Sequence, residues 1–343
     1  MPKVSVLMTA FNTENYISLA IESILNQTFS DFEFIILNDG STDNTLNIIN
    51  QYKDSRIRLI NEGKLGYYYA KQRLIKEAKS TYLAIMDADD IADSSRLQKQ
   101  VNFLEAHTEF GLVSARARYI DLYNNDLNKS IDFFESNESI KCNLLFVNVI
   151  VHPCVMMRKS ILDEHNLTYK ALAGEDFDLW IRIAQISKVY NLNEFLLSYR
   201  IHSNNMVHSK WYKLKDGIYT LISDELNYYF PNLISEEEKM NHLSLVDFSL
   251  KNSSTDLPAL QNWIEKLLLL NQTYKHFDDA ILKQVIFERV LKKCLRLADY
   301  NFSVISQLNE IKKILRPNLT WELRKKELAI IAFSTAHKKF MEV

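Results

Sequence analysis

The sequence predicts an α/β fold, in which a mostly parallel β-sheet carries helices on both faces and is followed by a helical C-terminal region. In the first third of the chain, apolar runs rich in β-branched and aromatic residues alternate with segments of helical period. Five of the six glycines lie within the first 174 residues, at the turns between these elements. From about residue 210 the strand signals fade and long amphipathic helices remain.

Four strand and helix pairs follow one another in the first part of the chain. The predicted strands are 4–9, 32–38, 57–61 and 82–86, and the predicted helices are 16–27, 43–52, 68–78 and 96–107. Farther on, Ser235 followed by three glutamates has the pattern of a capping box, which predicts the start of a helix. We therefore divide the chain into an α/β domain, residues 1–205, and a helical region, residues 206–343.

The composition excludes several classes of protein. The chain has 41 Lys and Arg against 43 Asp and Glu, so its net charge of -2 predicts no general attraction to nucleic acid. Its three cysteines lie far apart, which favours reduced thiols in the cytoplasm over a disulfide framework or a zinc site. We expect neither a signal peptide nor a membrane-spanning segment.

Polar residues follow three of the predicted strands, in the ranges 9–12, 38–43 and 87–90. In open parallel sheets, ligands bind beyond the carboxyl ends of the strands. These three segments are therefore candidates for a binding site. For Asp39 and Gly40 a simple turn is the structural alternative, and for Asp43 the alternative is a helix cap.

The densest cluster of charge is Asp87-Ala88-Asp89-Asp90, with three carboxylates in four residues. Such carboxylates repel one another unless a cation or ligand compensates their charge. Hard oxygen ligands suit Mn²⁺ or Mg²⁺, ions that usually complete their shell with substrate phosphates. The alternatives are a solvated acidic turn or the cap of the helix that begins at Arg96.

A second acidic segment begins at Gly174, where Glu175 and Asp176 occupy the first turn of a predicted helix. A carboxylate placed there can act as a general base, although the helix dipole also favours acids at this position. His202 closes the last strand-like run. A lone histidine is more often a surface or core residue, and only its neighbours would make it a ligand.

These segments, in this order, resemble the family 2 glycosyltransferases, which have the Rossmann-like GT-A fold. The resemblance covers residues 3 to about 208 and rests on seven segments: Val4–Asn12, Ser23–Thr28, Asn38–Asp43, Asp87–Asp90, His152–Lys159, Gly174–Trp180 and Tyr199–His202. It implies that residues 1–110 bind the nucleotide sugar and that residues 111–205 bind the acceptor and carry the catalytic base.

The resemblance also assigns roles to individual residues. It implies Thr9, Ala10 and Phe11 in the nucleotide pocket, Asp39 at the uracil or ribose, Arg73 near the base and diphosphate, and Asp87 at the ribose and metal. It also implies Ala88 among the donor-binding residues, Asp89 and His202 as metal ligands, and Asp176 as the catalytic base.

The activity implied is inverting, metal-dependent transfer of a sugar from a UDP-sugar (UDP-GlcNAc, UDP-Gal or UDP-Glc) to a hydroxyl of a glycan or glycolipid. The His152-Pro153 segment most resembles bacterial enzymes that build capsule, exopolysaccharide or lipooligosaccharide chains.

Residues 312–343 form a basic amphipathic segment, with eight Lys and Arg against three Glu. Such a helix can lie on the inner face of the cytoplasmic membrane, near lipid-linked acceptors. The alternative is a helix that packs on the domain or on another subunit of a homo-oligomer.

Four other interpretations compete with this one. A sugar nucleotidyltransferase or a dehydrogenase would need a glycine-rich loop after a strand, and the segment after the first strand has none. A non-catalytic scaffold would have no reason to retain the acidic residues and His202 together. A polyprenyl-phosphate sugar synthase usually carries membrane segments.

Overall fold

The computed structural model describes residues 1–202, 206–246, 257–296 and 302–315. Contacts divide the chain into two compact units. The first comprises Met1–Ile140 and Val149–Ile218, and the second comprises Lys141–Asn148 and Tyr219–Val343, as far as these ranges are described. The domain boundary predicted at residue 205, and the division of the first domain at residue 110, stay predictions.

The first unit begins with the predicted alternation of strands and helices. Its elements are β1 (Val4–Ala10), α1 (Ile17–Leu25), β2 (Phe32–Asp39), α2 (Thr45–Gln51), β3 (Ile57–Glu62), α3 (Tyr67–Glu77), β4 (Tyr82–Asp87), β5 (Ile91–Ala92) and α4 (Arg96–Ala106). All eight predicted strands and helices are confirmed, with ends no more than two residues from those expected. Short apolar runs bounded by turn residues were sufficient to locate them.

The first four strands form the parallel part of the sheet, in the order β3, β2, β1, β4. β1 lies between its neighbours in parallel register, so that Thr9 pairs with Leu37 on one side and with Asp87 on the other. The carboxyl ends of these strands therefore meet at one edge of the sheet. The segments that follow β1, β2 and β4 are thereby brought together.

The second half of the unit makes the sheet mixed. Its elements are β6 (Phe110–Ile120), β7 (Asp126–Ser130), α5 (Asn137–Leu144, which ends in the second unit), a 3₁₀ turn (His152–Cys154), β8 (Met156–Arg158), α6 (Lys159–Glu164), α7 (Glu175–Ile186) and β9 (Lys188–Arg200). Beyond β4 the order is β8, β6, β9, β5, and β7 pairs with β6. β8 is antiparallel to both β4 and β6, whereas β6 and β9 are parallel.

A buried arginine connects β4 to the segment that precedes β8. Arg96 lies at the start of α4 and has no exposed surface. Its guanidinium donates to the carbonyl oxygen of Ile85 at 2.7 Å, to that of Val155 at 3.3 Å and to Oε1 of Gln100 at 3.1 Å. Because these bonds satisfy its donors, the charge can be buried while it holds β4 beside the segment that leads into β8.

The second unit is helical, as predicted. Its helices are α8 (Met206–Tyr229, which begins in the first unit), α9 (Glu236–Leu243), α10 (Leu257–Tyr274), α11 (Asp279–Arg296) and α12 (Phe302–Leu315). The capping box at Ser235 is confirmed, because its side chain accepts from the backbone of Glu238 and the Glu238 carboxylate accepts in return.

The core of this unit contains a buried histidine. His242 donates from Nε2 to the carbonyl oxygen of Leu145 at 2.8 Å, and its Nδ1 accepts from the indole of Trp263 at 3.3 Å. It also stacks on Phe146, with 4.5 Å between ring centroids. Burial lowers the pKa of His242 to about 4, so the ring is neutral in the folded protein.

Among the described residues, no helix is long and apolar enough to cross a membrane. The predicted basic segment 312–343 lies, from residue 316 onward, outside the described residues. Its contact with a membrane or with another subunit stays a prediction.

Candidate active site

The acidic cluster lies at the carboxyl end of β4. One carboxylate oxygen from each of Asp87, Asp89 and Asp90 can be chosen so that all three lie within 4.8 Å of one another. This spacing suits a divalent cation held by carboxylates. Asp89 and Asp87 retain some exposed surface, whereas Asp90 is buried.

His202 reaches this cluster from the segment after β9. Its Nε2 lies 2.8 Å from Oδ2 of Asp89, and its ring stacks on that of Tyr16 with centroids 5.3 Å apart. The two residues are separated by 113 positions in sequence. The structure therefore brings together the two predicted metal ligands, an imidazole and a carboxylate.

Asp90 is the member of the acidic cluster whose negative charge is most strongly disfavoured by its surroundings. Its Oδ1 accepts from the backbone N–H of Arg200 at 2.8 Å, whereas its buried Oδ2 has no hydrogen-bond partner among the described residues. Burial, together with the charges of Asp89 and Asp87, raises the pKa of Asp90 well above its usual range. Such an excess of negative charge is relieved by a proton or a cation, so the residues present fit a bound metal ion.

Asp87, which is partly exposed, begins a chain of contacts with two buried side chains. Its Oδ1 lies 3.4 Å from Nδ1 of His152, and Nε2 of His152 lies 3.1 Å from the hydroxyl of Tyr169. Burial would raise the pKa of Asp87, but the charge and hydrogen bond of His152 outweigh it and bring the pKa below its usual range. Asp87 therefore stays ionised within the acidic cluster.

Asp176 lies in the first turn of α7, directly after Gly174 and Glu175. Gly174 precedes the helix in a left-handed conformation with φ of 77°, which a glycine adopts without strain. Burial and the charge of Glu175 raise the pKa of Asp176, although His152 and Lys71 act against them. The side chain keeps part of its surface exposed. A partly exposed carboxylate with a raised pKa is suited to accept a proton.

Lys71, which we did not single out in the sequence, is buried at the centre of the site. Its Nζ lies 2.7 Å from Oε1 of Glu175 and 3.8 Å from the centroid of the Tyr67 ring. Together with Thr9, Asp87, His152 and Tyr169 it lines one pocket. A signal was present in the sequence, because Lys71 lies on the same helical face as Ala70 and Leu74, where an apolar residue is expected.

Comparison with known proteins agrees with this geometry. Residues 5–165 match the family described as glycosyl transferase family 2. A glycosyltransferase of Methanocaldococcus jannaschii is 36% identical over 220 residues, which cover 62% of this chain and 76% of that protein. The chain belongs to glycosyltransferase family 2.

A second relative has a name that states its activity, and a solved structure has a similar fold. The Escherichia coli protein WfaP, named as a UDP-Glc:alpha-D-GlcNAc-diphosphoundecaprenol beta-1,3-glucosyltransferase, is 30% identical over 218 residues, covering 62% of this chain and 83% of that protein. The crystal structure of S. aureus TarS residues 1–349 with UDP-GlcNAc has a TM-score of 0.55 at 17% identity, covering 92% of this chain and 91% of that one. The predicted GT-A fold is confirmed.

In this glycosyltransferase, the segments after β1 and β2 form hydrogen bonds with each other. Oδ1 of Asn12 accepts from the backbone N–H of Thr42 at 2.8 Å, and Oδ2 of Asp43 accepts from the N–H of Glu14 at 3.1 Å. Asp43 also accepts from the N–H of Thr45 at 3.0 Å, but the N-cap of α2 is Asn44 and no side chain caps this helix, so the helix cap considered for Asp43 is not observed.

The predicted nucleotide contacts lie on this edge. Thr9 and Ala10 end β1, Ala88 is buried in the acidic segment, and Phe11 is 40% exposed. Asp39 is buried, and its carboxylate accepts from the N–H groups of Leu65 at 2.6 Å and of Gly66 at 3.2 Å. These contacts shape the turn before α3, and the contact of Asp39 with a base or ribose stays a prediction.

Arg73 lies elsewhere on α3. Its guanidinium is 3.1 Å from Glu77 and 4.0 Å from Glu62, and 41% of its side chain is exposed. Lys71, by contrast, lines one pocket with Asp87 and His152. The predicted contact of Arg73 with the base and diphosphate stays a prediction.

Proposed function

We propose that this glycosyltransferase moves a sugar from a UDP-sugar to a hydroxyl of a glycan or glycolipid acceptor in surface polysaccharide synthesis, with inversion and with a bound divalent cation. One observation carries the proposal. His152 is the residue that acts both on the acidic cluster and on the carboxylate of Asp176. This histidine contacts Asp87 and lowers the pKa of Asp176 through its charge.

Asp89 and His202 are the residues that would hold Mn²⁺ or Mg²⁺, with Asp87 beside them. Their ligand atoms are carboxylate oxygen and imidazole nitrogen, within contact distance of each other. When bound, such an ion offsets the charge that develops on the departing diphosphate, a contribution of several kcal/mol.

Asp176 performs the proton transfer. Its carboxylate takes the proton of the acceptor hydroxyl while that oxygen forms a bond to the anomeric carbon. The bond from this carbon to the diphosphate breaks on the opposite face, and the electron pair leaves with the nucleoside diphosphate. An α-linked donor therefore yields a β-linked product. General-base catalysis typically contributes about 10²–10⁴-fold to the rate.

The substrate class is supported by a relative. The name of WfaP specifies a UDP-glucose donor and an acceptor sugar linked by diphosphate to undecaprenol. We assign to this chain the same general class, a UDP-linked hexose or N-acetylhexosamine as donor and a glycan or glycolipid as acceptor. The donors to compare are UDP-Glc, UDP-Gal and UDP-GlcNAc.

The test is a thermal-shift and donor-hydrolysis panel of UDP-, GDP- and dTDP-sugars with and without Mn²⁺. The variants are Asp89→Ala, Asp176→Asn and, as a matched control, Asp31→Asn, an exposed residue just before β2. We expect one UDP-sugar to stabilise the wild type only with metal, Asp89→Ala to abolish this effect, and Asp176→Asn to bind the donor but lose about 10²-fold or more in turnover.

Two results would contradict the proposal. If Asp176→Asn retained the turnover of Asp31→Asn, another group would be the base. If no nucleotide sugar bound under any condition, the site would not be a donor site.

A further inference from the structure

A buried ion pair connects the pocket beside the acidic cluster to the segment that carries Asp176. Lys71 lies on α3, and Glu175 is the first residue of α7, 104 positions farther along the chain. Nζ of Lys71 lies 2.7 Å from Oε1 of Glu175, and the two side chains are 5% and 9% exposed. Lys71 also lines the pocket that contains Thr9 and Asp87. The pair therefore extends from the carboxyl ends of β1 and β4 to the start of α7.

Two aromatic rings restrict the Lys71 side chain. Its Nζ is 3.8 Å from the centroid of the Tyr67 ring and 5.1 Å from that of Tyr169. The next residue of α3, Gln72, donates from Nε2 to the backbone carbonyl oxygen of Tyr169, in the segment that leads to α7. A free lysine side chain has many rotamers, and these contacts select among them. The ammonium group is thereby fixed beside Glu175.

The backbone at the start of α7 does not by itself fix the direction of the Asp176 side chain. Gly174 precedes the helix with φ of 77° and has no side chain that could cap it. Because glycine adopts many backbone conformations, a contact from outside the helix is needed to hold its first turn in one place. Consecutive residues of an α-helix point about 100° apart, so an anchored Glu175 also sets the direction of Asp176.

A second buried acid in the same turn has local partners instead. Oδ2 of Asp178 accepts from Nε of Arg182, one turn farther along α7, at 2.9 Å. Its Oδ1 lies 3.4 Å from Nζ of Lys170, in the segment just before the helix. These contacts stabilise the start of α7 within one stretch of chain. The partner of Glu175, by contrast, lies on another helix.

We propose that Lys71 and Glu175 are a positioning pair, which sets the distance between the Asp176 carboxylate and the pocket beside the acidic cluster. This rests on the proposed function, in which Asp176 is the base. Desolvation offsets much of the attraction in a buried ion pair, so the geometry that the pair imposes explains its presence better than stability does. Displacement of a catalytic group by about 1 Å can lower a rate about 10²-fold.

Two substitutions of Glu175 separate the length of this side chain from its charge. Glu175→Gln keeps the length and an oxygen that accepts from Lys71, but it removes the charge. Glu175→Asp keeps the charge and shortens the side chain by one methylene group, about 1.5 Å. Asp178→Asn is the matched control, because Asp178 is also a buried acid of the first turn and its partners are local.

The assay measures hydrolysis of UDP-Glc, UDP-Gal and UDP-GlcNAc by the full chain with Mn²⁺, in the pH range where kcat no longer changes. Donor affinity is measured by calorimetric titration, and circular dichroism shows that each variant is folded at the assay temperature. We expect Glu175→Asp to lower kcat about 10²-fold and to leave the Kd for the donor unchanged. Glu175→Gln and Asp178→Asn should each lower kcat by about tenfold or less, since both keep Asp176 in place.

A compensating variant tests the length of the pair directly. Arginine reaches one atom farther than lysine, so Lys71→Arg combined with Glu175→Asp restores the combined length of the two side chains. We expect this double variant to regain about tenfold or more of the kcat that Glu175→Asp loses. The comparison of Glu175→Asp with Glu175→Gln decides the matter even if the double variant does not fold.

Three results would overturn the proposal. Glu175→Asp could turn over the donor as fast as Asp178→Asn, or the folded double variant could be no faster than Glu175→Asp. Glu175→Gln could also lose as much kcat as Glu175→Asp, in which case the charge and not the length would matter.

Failure of the proposed function has a different signature. In that case no UDP-sugar binds, or Asp176→Asn keeps the turnover of the wild type. A chain in which Asp176→Asn is inactive and Glu175→Asp is fully active keeps the proposed function and loses only this inference.

Discussion

The buried ion pair between Lys71 and Glu175 allows the energetics of the site to be tested directly. Only 5% of the Lys71 side chain and 9% of the Glu175 side chain are exposed, and their charged atoms are 2.7 Å apart. Replacing one partner leaves the other charge buried without its direct ion-pair partner. We therefore expect Lys71→Met or Glu175→Gln to lower the free energy of unfolding by about 3–5 kcal/mol.

The double variant should differ. With both charges removed, no lone charge remains buried, and replacement of a buried pair by neutral residues of similar volume is often close to neutral. We expect the double variant to recover most of the loss. A control is Lys159→Met, which breaks an ion pair with Asp163 whose carboxylate side chain is 59% exposed, and which should cost about 1 kcal/mol or less.

The assay is urea unfolding followed by hydrogen exchange at the amides of β1 and β4, which reports on the first unit separately from the second. The reasoning is refuted if Glu175→Gln costs no more than Lys159→Met. It is also refuted if the loss in the double variant equals the sum of the losses in the single variants, because the two charges would then not depend on each other.

Three further predictions concern pH and backbone conformation. Because burial and the charge of Glu175 raise the pKa of Asp176, turnover should fall as the pH drops through that raised value. Lys71 lowers the pKa of Asp176, so Lys71→Met should move the loss of kcat at low pH to a higher pH. If the pH at which kcat falls did not change, this electrostatic account would be wrong. His242 has its pKa lowered to about 4 in the folded chain against 6.5 in the unfolded one, so the unfolded chain takes up a proton that the folded chain lacks. The free energy of unfolding of the second unit should therefore fall by up to about 3 kcal/mol between pH 6.5 and pH 4. Thermal midpoints measured across this pH range test the prediction, and His242→Asn should remove the dependence on pH. Gly174→Ala places a side chain at a φ of 77° and should lower the free energy of unfolding, measured in urea, by about 1–2 kcal/mol. The control Gly63→Ala has a negative φ and nothing within 4 Å of the added methyl, so it should change this free energy by less than about 0.5 kcal/mol. Equal effects of the two substitutions would exclude backbone strain at Gly174 as the cause.

Much of the fold could be predicted from the sequence because its signals are local. The alternation of apolar runs and helical periods located β1 to β4 and the helices between them, since each pattern depends only on neighbouring residues. The mixed orientation of the later strands could not be predicted in this way. Whether β8 runs parallel or antiparallel to β4 depends on the path of the chain between them.

In the candidate site, too, the local features could be predicted from the sequence and the long-range contacts could not. The acidic cluster, Asp176 and His202 could be recognised because each lies in a short segment whose chemistry is unusual, and because their order along the chain resembles a family. The structure then placed His202 against Asp89.

What the sequence determined by itself is thus the set of local elements and the residue types available for chemistry. Only the tertiary structure decided which distant groups contact each other. Lys71 pairs with Glu175, 104 positions away, and Arg200 joins the acidic segment to the turn after β6. The physical reason is that a buried charge is stable only beside a compensating group, and the partner is supplied by whichever distant segment the sheet brings to the same edge.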